Sequence, residues 1–204
     1  KIAAELDIKW LWLLDQDSVV NSDFLHSAGR WLGSGDVCPP AALVPWVRDQ
    51  RGRIISPSKV SKLGIIRPLR RGQAPSLRGF TAIASGAIVH VPSLREILPV
   101  PRELWLDYVD HWMFLRMAVL HKRVVVLDSI ISHVLSISEP VGLSSERMHS
   151  IIKAERYFNS LLGPSARGLY PLRLTARAAR YAMGDRRRAM MLLALLLRKR
   201  YPVC

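Results

Sequence analysis

Two carboxylates one residue apart, at the end of an apolar run, are the first groups in this chain that could do chemistry. Asp15-Gln16-Asp17-Ser18 directly follows the run Trp10 to Leu14. Carboxylates at alternate positions of an extended segment can hold one divalent cation, and hard oxygen ligands suit Mg²⁺ or Mn²⁺. Such a cation can bridge a diphosphate and neutralise a leaving group. The plainer reading is a turn and helix cap, where Asp is common. Asp110 is the second candidate, a carboxylate at a helix start that can take a proton from a hydroxyl. Capping amides and interacting favourably with the helix dipole is its alternative role, although Asp107 is better suited to pure capping. His133, on an extended apolar segment, can be a third metal ligand through a neutral ring nitrogen; a lone His of this kind is more often structural. Ser85-Gly86 interrupts a further apolar segment, and a Gly there marks either close approach to a ligand or a bulge.

These groups need elements to hold them. Trp10 to Leu14 reads as a buried strand of a mostly parallel sheet. Ser22 and Asp23 can cap a helix with Phe24, Leu25, Ala28, Trp31 and Leu32 on one face and Gly33 and Gly35 at its end. Ala41 to Val47 reads as a strand, Asp49 to Gly52 as a turn, and Arg53 to Ser56 as the return of a hairpin. Residues 57–79, rich in Lys, Arg, Pro, Gly and Ser, read as a long mobile loop. Phe80 to Val91 is a strand broken at Ser85-Gly86, and Ser93 to Glu96 has the spacing of a capping box. A helix to about His121 turns Met113, Phe114, Met117 and Leu120 inward. Val124 to Leu127 is a strand, Ile130 to Ile137 is extended, and the pattern is helical from Ser144. Strands alternating with helices predict a layered α/β domain, whose ligands bind beyond the carboxyl ends of strands.

Composition narrows the function. Half of the 204 residues are hydrophobic, which allows a sizeable core and excludes general disorder. Two cysteines, Cys38 and Cys204, make no disulfide framework and no metal spacing, so a reducing, cytoplasmic compartment is expected. No apolar run reaches membrane-spanning length. The chain opens on a short helix-like scrap without an initiating Met, and it is expected to be a fragment of a longer protein. The net charge is +14. Residues 1–150 hold 18 Lys/Arg and 14 Asp/Glu, whereas residues 151–204 hold 12 and 2. The tail is thus a basic module attached to a nearly balanced domain, and it attracts anions. Arg173, Arg177 and Arg180 recur at helical spacing. Arg186-Arg187-Arg188 and Arg198-Lys199-Arg200 bracket an apolar stretch from Ala189 to Leu197. Residues 171–204 are expected to lie on an anionic membrane surface, or else to pack on the domain or a second subunit. Nucleic acid is not the expected partner, because the basic tail has no interleaved aromatics and the chain no zinc spacing.

The order of these features resembles the family 2 glycosyltransferases of the GT-A fold. LLDQDS is similar to their bacterial rhamnosyltransferase branch, and LDYVDHWMFLR resembles that branch's acidic segment, IDYVDxEWxxR. The resemblance covers residues 8 to about 137. It implies an α/β, GT-A-like (Rossmann-like), mostly parallel sheet flanked by helices, with residues 1–143 a partial catalytic domain and 144–204 a basic helical extension. It also implies inverting transfer of a sugar, rhamnose from a dTDP donor, to a hydroxyl of a glycan or lipid-linked acceptor. Asp15 and Asp17 become the DxD-type motif, Asp17 the direct metal ligand, and His133 the late one. Asp110 becomes the catalytic base. Gln16, Ser18, Ser85, Gly86, Trp105, Asp107, Trp112 and Arg116 become donor- and acceptor-side residues. Trp112 stands where the branch has Glu, and the family's opening nucleotide-binding strands have no counterpart. The competing functions are a non-catalytic remnant of such an enzyme and, further off, a basic nucleic-acid-binding protein.

Overall fold

A computed structural model describes residues 7–72, 78–133 and 144–197. The opening scrap, the end of the extended segment towards Ile137, and Arg198-Lys199-Arg200 lie outside the described residues. The apolar run forms β1 (Trp10–Trp12), and the chain turns through Gln16 and Asp17 into β2 (Ser18–Val19). Helix α1 (Ser22–Leu32) is capped by Asn21, one residue earlier than expected; its side-chain oxygen accepts the Phe24 N–H at 3.0 Å. Phe24 and Ala28, four apart, face the core, while Leu25 and Leu32 fall on the exposed side of the same helix.

Strand β3 (Ala42–Arg48) is buried except for Arg48, and a turn at Asp49–Gly52 returns it as the antiparallel β4 (Ile54–Ser56). The described residues of 57–79 are not the expected loop throughout. β5 (Ser58–Val60) and β6 (Ile66–Pro68) pair antiparallel, and β7 (Phe80–Thr81) joins the other side of β5. In β5 the polar composition hides a period of two, with Ser58 and Val60 buried and Lys59 exposed. After β8 (Ile88–His90), helix α2 (Val91–Arg95) starts with Pro92 in its first turn, where the missing N–H costs nothing. Ser93 is therefore inside the helix rather than its cap, and its hydroxyl meets His90 Nδ1 at 3.0 Å. Helix α3 (Val109–Val119) buries Met113, Phe114 and Met117, but Leu120, beyond its end, is exposed. Strand β9 (Val124–His133) merges the two extended segments read separately from the sequence.

The main sheet runs β1-β8-β3-β9-β2, with β4 on β3. Only β3 and β9 run parallel among the described strands; the remaining pairs are antiparallel. The sheet is mixed, not mostly parallel, because the reversal at Ser85-Gly86 sends β8 back antiparallel to both neighbours. β1 is an edge strand and not a buried one, leaving Trp12 and Leu14 exposed. A short apolar run alone does not distinguish these placements. Phe24, Leu43, Val47, Ile88, Leu127 and Ile131 form the core under this sheet, each side chain contributing about 1.5–3 kcal/mol by burial.

The chain divides into two compact units. The sheet unit runs to Ser61, resumes over Ile66–Pro101 and continues from Val109 through β9. The second takes Lys62–Ile65, Arg102–Tyr108 and the helices α4 (Ser145–Leu161), α5 (Pro164–Ala182) and α6 (Arg186–Leu197). The expected division was 1–143 and 144–204; in the compact units two short pieces earlier than residue 143 join the helical unit. Met148, Ile152, Tyr170, Leu174, Ala178 and Leu192 make its core. Beside that core lies Glu155, 1% exposed. Arg177 grips it with both terminal nitrogens, at 2.7 and 2.8 Å, and Arg173 reaches it at 3.8 Å. Arg173 also donates to Asn159 Oδ1 at 2.9 Å and to the Leu63 carbonyl at 2.8 Å. The bond to Glu155 pushes Arg177 above the usual arginine range, and burial pushes the Tyr170 hydroxyl far above the usual tyrosine range. Arg173 and Arg177 therefore point inward, and of the basic stripe expected along α5 only Arg180 is exposed.

Candidate metal centre

Strand pairing brings the acidic turn to His133. β2 lies antiparallel to β9 with Ser18 opposite His133 and Val19 opposite Ser132. Asn21 reinforces the pairing by donating to the Ile130 carbonyl at 3.1 Å. A third segment arrives from the Ser85-Gly86 turn, where the Gly86 N–H bonds Leu13 O at 2.9 Å and the Leu13 N–H bonds Ala87 O at 2.8 Å. Asp15, Asp17 and His133 each present a ligand atom within 4.8 Å of the others. His133 is buried, Asp17 half-buried and Asp15 exposed. His133 Nδ1 stands 3.4 Å from Asp17 Oδ1, 3.0 Å from Ser18 Oγ and 3.3 Å from Ser85 Oγ. The fully buried Ser85 hydroxyl donates to Asp15 Oδ2.

The donor set fits a divalent cation. Two carboxylate oxygens and one imidazole nitrogen converge, and among the described residues no Lys or Arg is paired with either carboxylate. Two like charges at that separation repel by about 1 kcal/mol in water and about 3.5 kcal/mol at an effective dielectric of 20. A bound cation would turn that repulsion into attraction. The carboxylate oxygens suit Mn²⁺ and Mg²⁺ alike, and the imidazole nitrogen suits a transition metal.

A pocket of about 300 Å³ adjoins the centre. His133 and Ser132 form one side, and Arg48, Asp49, Gln50 and Gly52 the other. Because β3 and β9 are parallel with Arg48 opposite Ser132, their carboxyl ends open at the same place. Arg48 Nε donates to Ser132 Oγ at 3.1 Å, which puts a cation on the pocket wall. Asp49 is occupied by its own turn, accepting the N–H groups of Arg51 and Arg53 at 2.9 Å. The Arg53 guanidinium, together with those amides, holds its carboxyl below the usual carboxylate range. Arg48 was missed in the sequence, because its place beside Ser132 is set by the pairing of β3 with β9.

The other expected site residues fall in different places. Gln16 is exposed in the acidic turn. Asp110, half-buried in the first turn of α3, accepts the His111 N–H at 2.7 Å and is not one of the three groups that meet around His133. Arg116 lies partly exposed in the last turn of the same helix. Trp112 is 4% exposed and packs in the core, so it offers almost no surface to a ligand. At Gly86 (φ 76°) a Cβ would stand 2.6 Å from Ile131 Cδ1 and 2.9 Å from Pro45 Cγ. Backbone conformation and core packing require that glycine, and a ligand contact is not needed to explain it. Trp105, 71% exposed, and Asp107 belong to the helical unit. Both oxygens of Asp107 are engaged by the Arg147 guanidinium, one at 2.7 Å.

Comparison with family models, with curated proteins and with solved structures finds no match to this chain.

Proposed function

We propose that this chain carries the catalytic side of a metal-dependent, inverting glycosyltransferase of the GT-A type. The convergence of Asp15, Asp17 and His133, from segments more than a hundred residues apart, is the observation that carries this reading. Asp15, Asp17 and His133 would hold Mn²⁺ or Mg²⁺, which supplies neutralisation of the diphosphate leaving group. The donor is a nucleoside-diphosphate sugar, dTDP-rhamnose by the resemblance of LLDQDS and LDYVDHWMFLR. The adjoining pocket, with Arg48 on its wall, is large enough for part of such a molecule. Asp110 would take the proton from the acceptor hydroxyl of a glycan or lipid-linked sugar.

The test separates binding from chemistry. Calorimetry should detect Mn²⁺ binding to the wild-type chain and its loss in Asp17→Ala. Binding of a nucleoside diphosphate should then depend on Mn²⁺. With donor and acceptor, Asp110→Asn should abolish transfer while leaving metal-dependent donor binding intact. Donor affinity that ignores metal would overturn the reading, and so would most of the turnover surviving in Asp110→Asn.

A further inference from the structure

Helices α5 and α6 carry seven arginines and no acid; Asp185 lies in the turn that joins them. The fold sorts six of the arginines, and Arg167, exposed in the first turn of α5, stands apart. Arg173 and Arg177 go inward to Glu155, and Arg188 pairs with Asp185 at 3.0 Å. Around the turn that joins the helices, Arg180, Arg186 and Arg187 are exposed, and none is ion-paired with an acid among the described residues. Exposed apolar side chains flank them at Met183 and Met190, and Leu172 continues the apolar surface further along α5. Met183 is 90% exposed, and Met190 and Leu172 are each 67% exposed. Leu172, the exposed Ala176 and Ala179, and Met183 recur at the spacing of one stripe along α5. Arg180 is three residues before Met183, so it flanks the same stripe. Arg186 and Arg187 begin α6 just beyond the turn, and Met190 follows one turn later on their face. These methionines are not core residues turned out by chance: Leu174, Ala178, Ala189 and Leu192 already fill the inner faces of the two helices.

We infer that this α5–α6 corner docks on an anionic lipid bilayer. The inference is independent of the glycosyltransferase reading. A bilayer offers an acidic headgroup layer above an apolar one, which matches arginines ringing exposed Met and Leu. A nucleic acid would answer the arginines only and leave the methionines in water. The two helices also present no fully exposed aromatic ring for base stacking, Tyr170 being buried and Tyr181 half-buried. A second copy of the chain would set arginine against arginine. No helix of the described residues is long and apolar enough to cross a membrane, so the contact is with the surface.

Sedimentation with vesicles tests the inference. The full chain is mixed with phosphatidylcholine vesicles, with or without phosphatidylglycerol as one third of the lipid. Binding is expected only to the anionic vesicles and should weaken with salt. Each Arg→Gln change should lower partitioning about fivefold at low salt, and R180Q/R186Q/R187Q together at least tenfold. M183S/M190S should keep part of the low-salt binding and lose what survives at high salt, because the apolar contribution is not screened. All five side chains are exposed or peripheral, and unchanged circular dichroism confirms that the variants fold. Equal binding to neutral vesicles, no binding to anionic ones, or a triple variant that binds like wild type would each overturn the inference. So would tighter binding to an oligonucleotide than to vesicles, or self-association through this corner without lipid binding.

Discussion

Each unit gathers acidic side chains in or beside its interior, and the two gatherings are built in opposite ways. In the helical unit Glu155 is 1% exposed and is answered within the protein, by Arg177 on both oxygens, Arg173 nearby and the Tyr170 hydroxyl at 3.3 Å. In the sheet unit Asp15 and Asp17 converge with His133 and two serine hydroxyls but meet no Lys or Arg among the described residues. The first cluster is electrically closed and acts as structure. The second is open and carries surplus negative charge, which is the condition for holding a ligand of opposite sign. A buried acid answered by cations of the protein needs no functional explanation; acids gathered without one do.

The largest expected effect is in the closed cluster. Arg177→Met leaves a buried carboxylate with only a weak second cation at 3.8 Å, and it should lower stability by about 3–5 kcal/mol in urea denaturation. Glu155→Met combined with Arg177→Met removes both charges and should recover most of that loss, since apolar residues of similar volume replace a buried pair at little cost. If the single variant is as stable as wild type, the cluster is not a structural lock and the contrast between the two units disappears.

The open cluster should respond to metal instead. At a hundredfold excess over its dissociation constant, Mn²⁺ should stabilise the wild-type chain by about 2.7 kcal/mol, because it binds the folded state. The rise in melting temperature should vanish in Asp15→Asn/Asp17→Asn and persist in Arg177→Met, measured from its own lower baseline. An equal rise in the wild type and the double Asn variant would place the metal elsewhere.

Reading these clusters from the sequence succeeded only in part, and for physical reasons. Asp15 and Asp17 were legible because they follow an apolar run that reads as a strand, and strand ends in layered sheets are where ligands bind; His133 was legible because it stands on an extended apolar segment. Arg48 was not, since its place beside Ser132 depends on β3 and β9 lying parallel in one register, which local pattern does not encode. Helical spacing correctly put Arg173 and Arg177 on one face of α5. It could not say which face, because the deciding partner, Glu155, lies on another helix. The strands within residues 57–79 were missed because three residues are too few to display a period. The edge position of β1 was missed because WLWLL looks the same at an edge as in the middle.

A pair of glycines sharpens the contrast at smaller scale. Gly86 and Gly64 both have positive φ, 76° and 74°. A Cβ at Gly86 would strike the side chains of Ile131 and Pro45, whereas at Gly64 it would stand 2.0 Å from Asn159 Oδ1 and 2.5 Å from Arg173 Nη1. Each Gly→Ala change should cost about 2 kcal/mol, combining backbone strain with displacement of the neighbour. Their consequences should differ: Gly86→Ala shifts the turn that carries Ser85 and should weaken Mn²⁺ binding, while Gly64→Ala should leave it unchanged. Equal weakening by both would mean that general loosening, not position, controls the site.

The smallest expected effect on stability is also the most discriminating. A structural carboxylate is missed when it is removed, because some group loses its partner; a ligand carboxylate kept close to another of like charge is not. Asp17→Asn preserves the shape of the turn and can still offer an oxygen towards His133. It removes one charge of a pair whose repulsion is about 1 kcal/mol in water. Without metal, the variant should therefore be as stable as wild type to within about 0.5 kcal/mol, or slightly more stable. Its Mn²⁺-dependent stabilisation should be lost at the same time. Urea denaturation of both proteins, with chelator and with Mn²⁺, gives the four numbers needed. A loss of 2 kcal/mol or more in the chelated state would show that Asp17 is bound into the fold as firmly as Glu155. The two clusters would then be of one kind, and the metal centre would lose its main support.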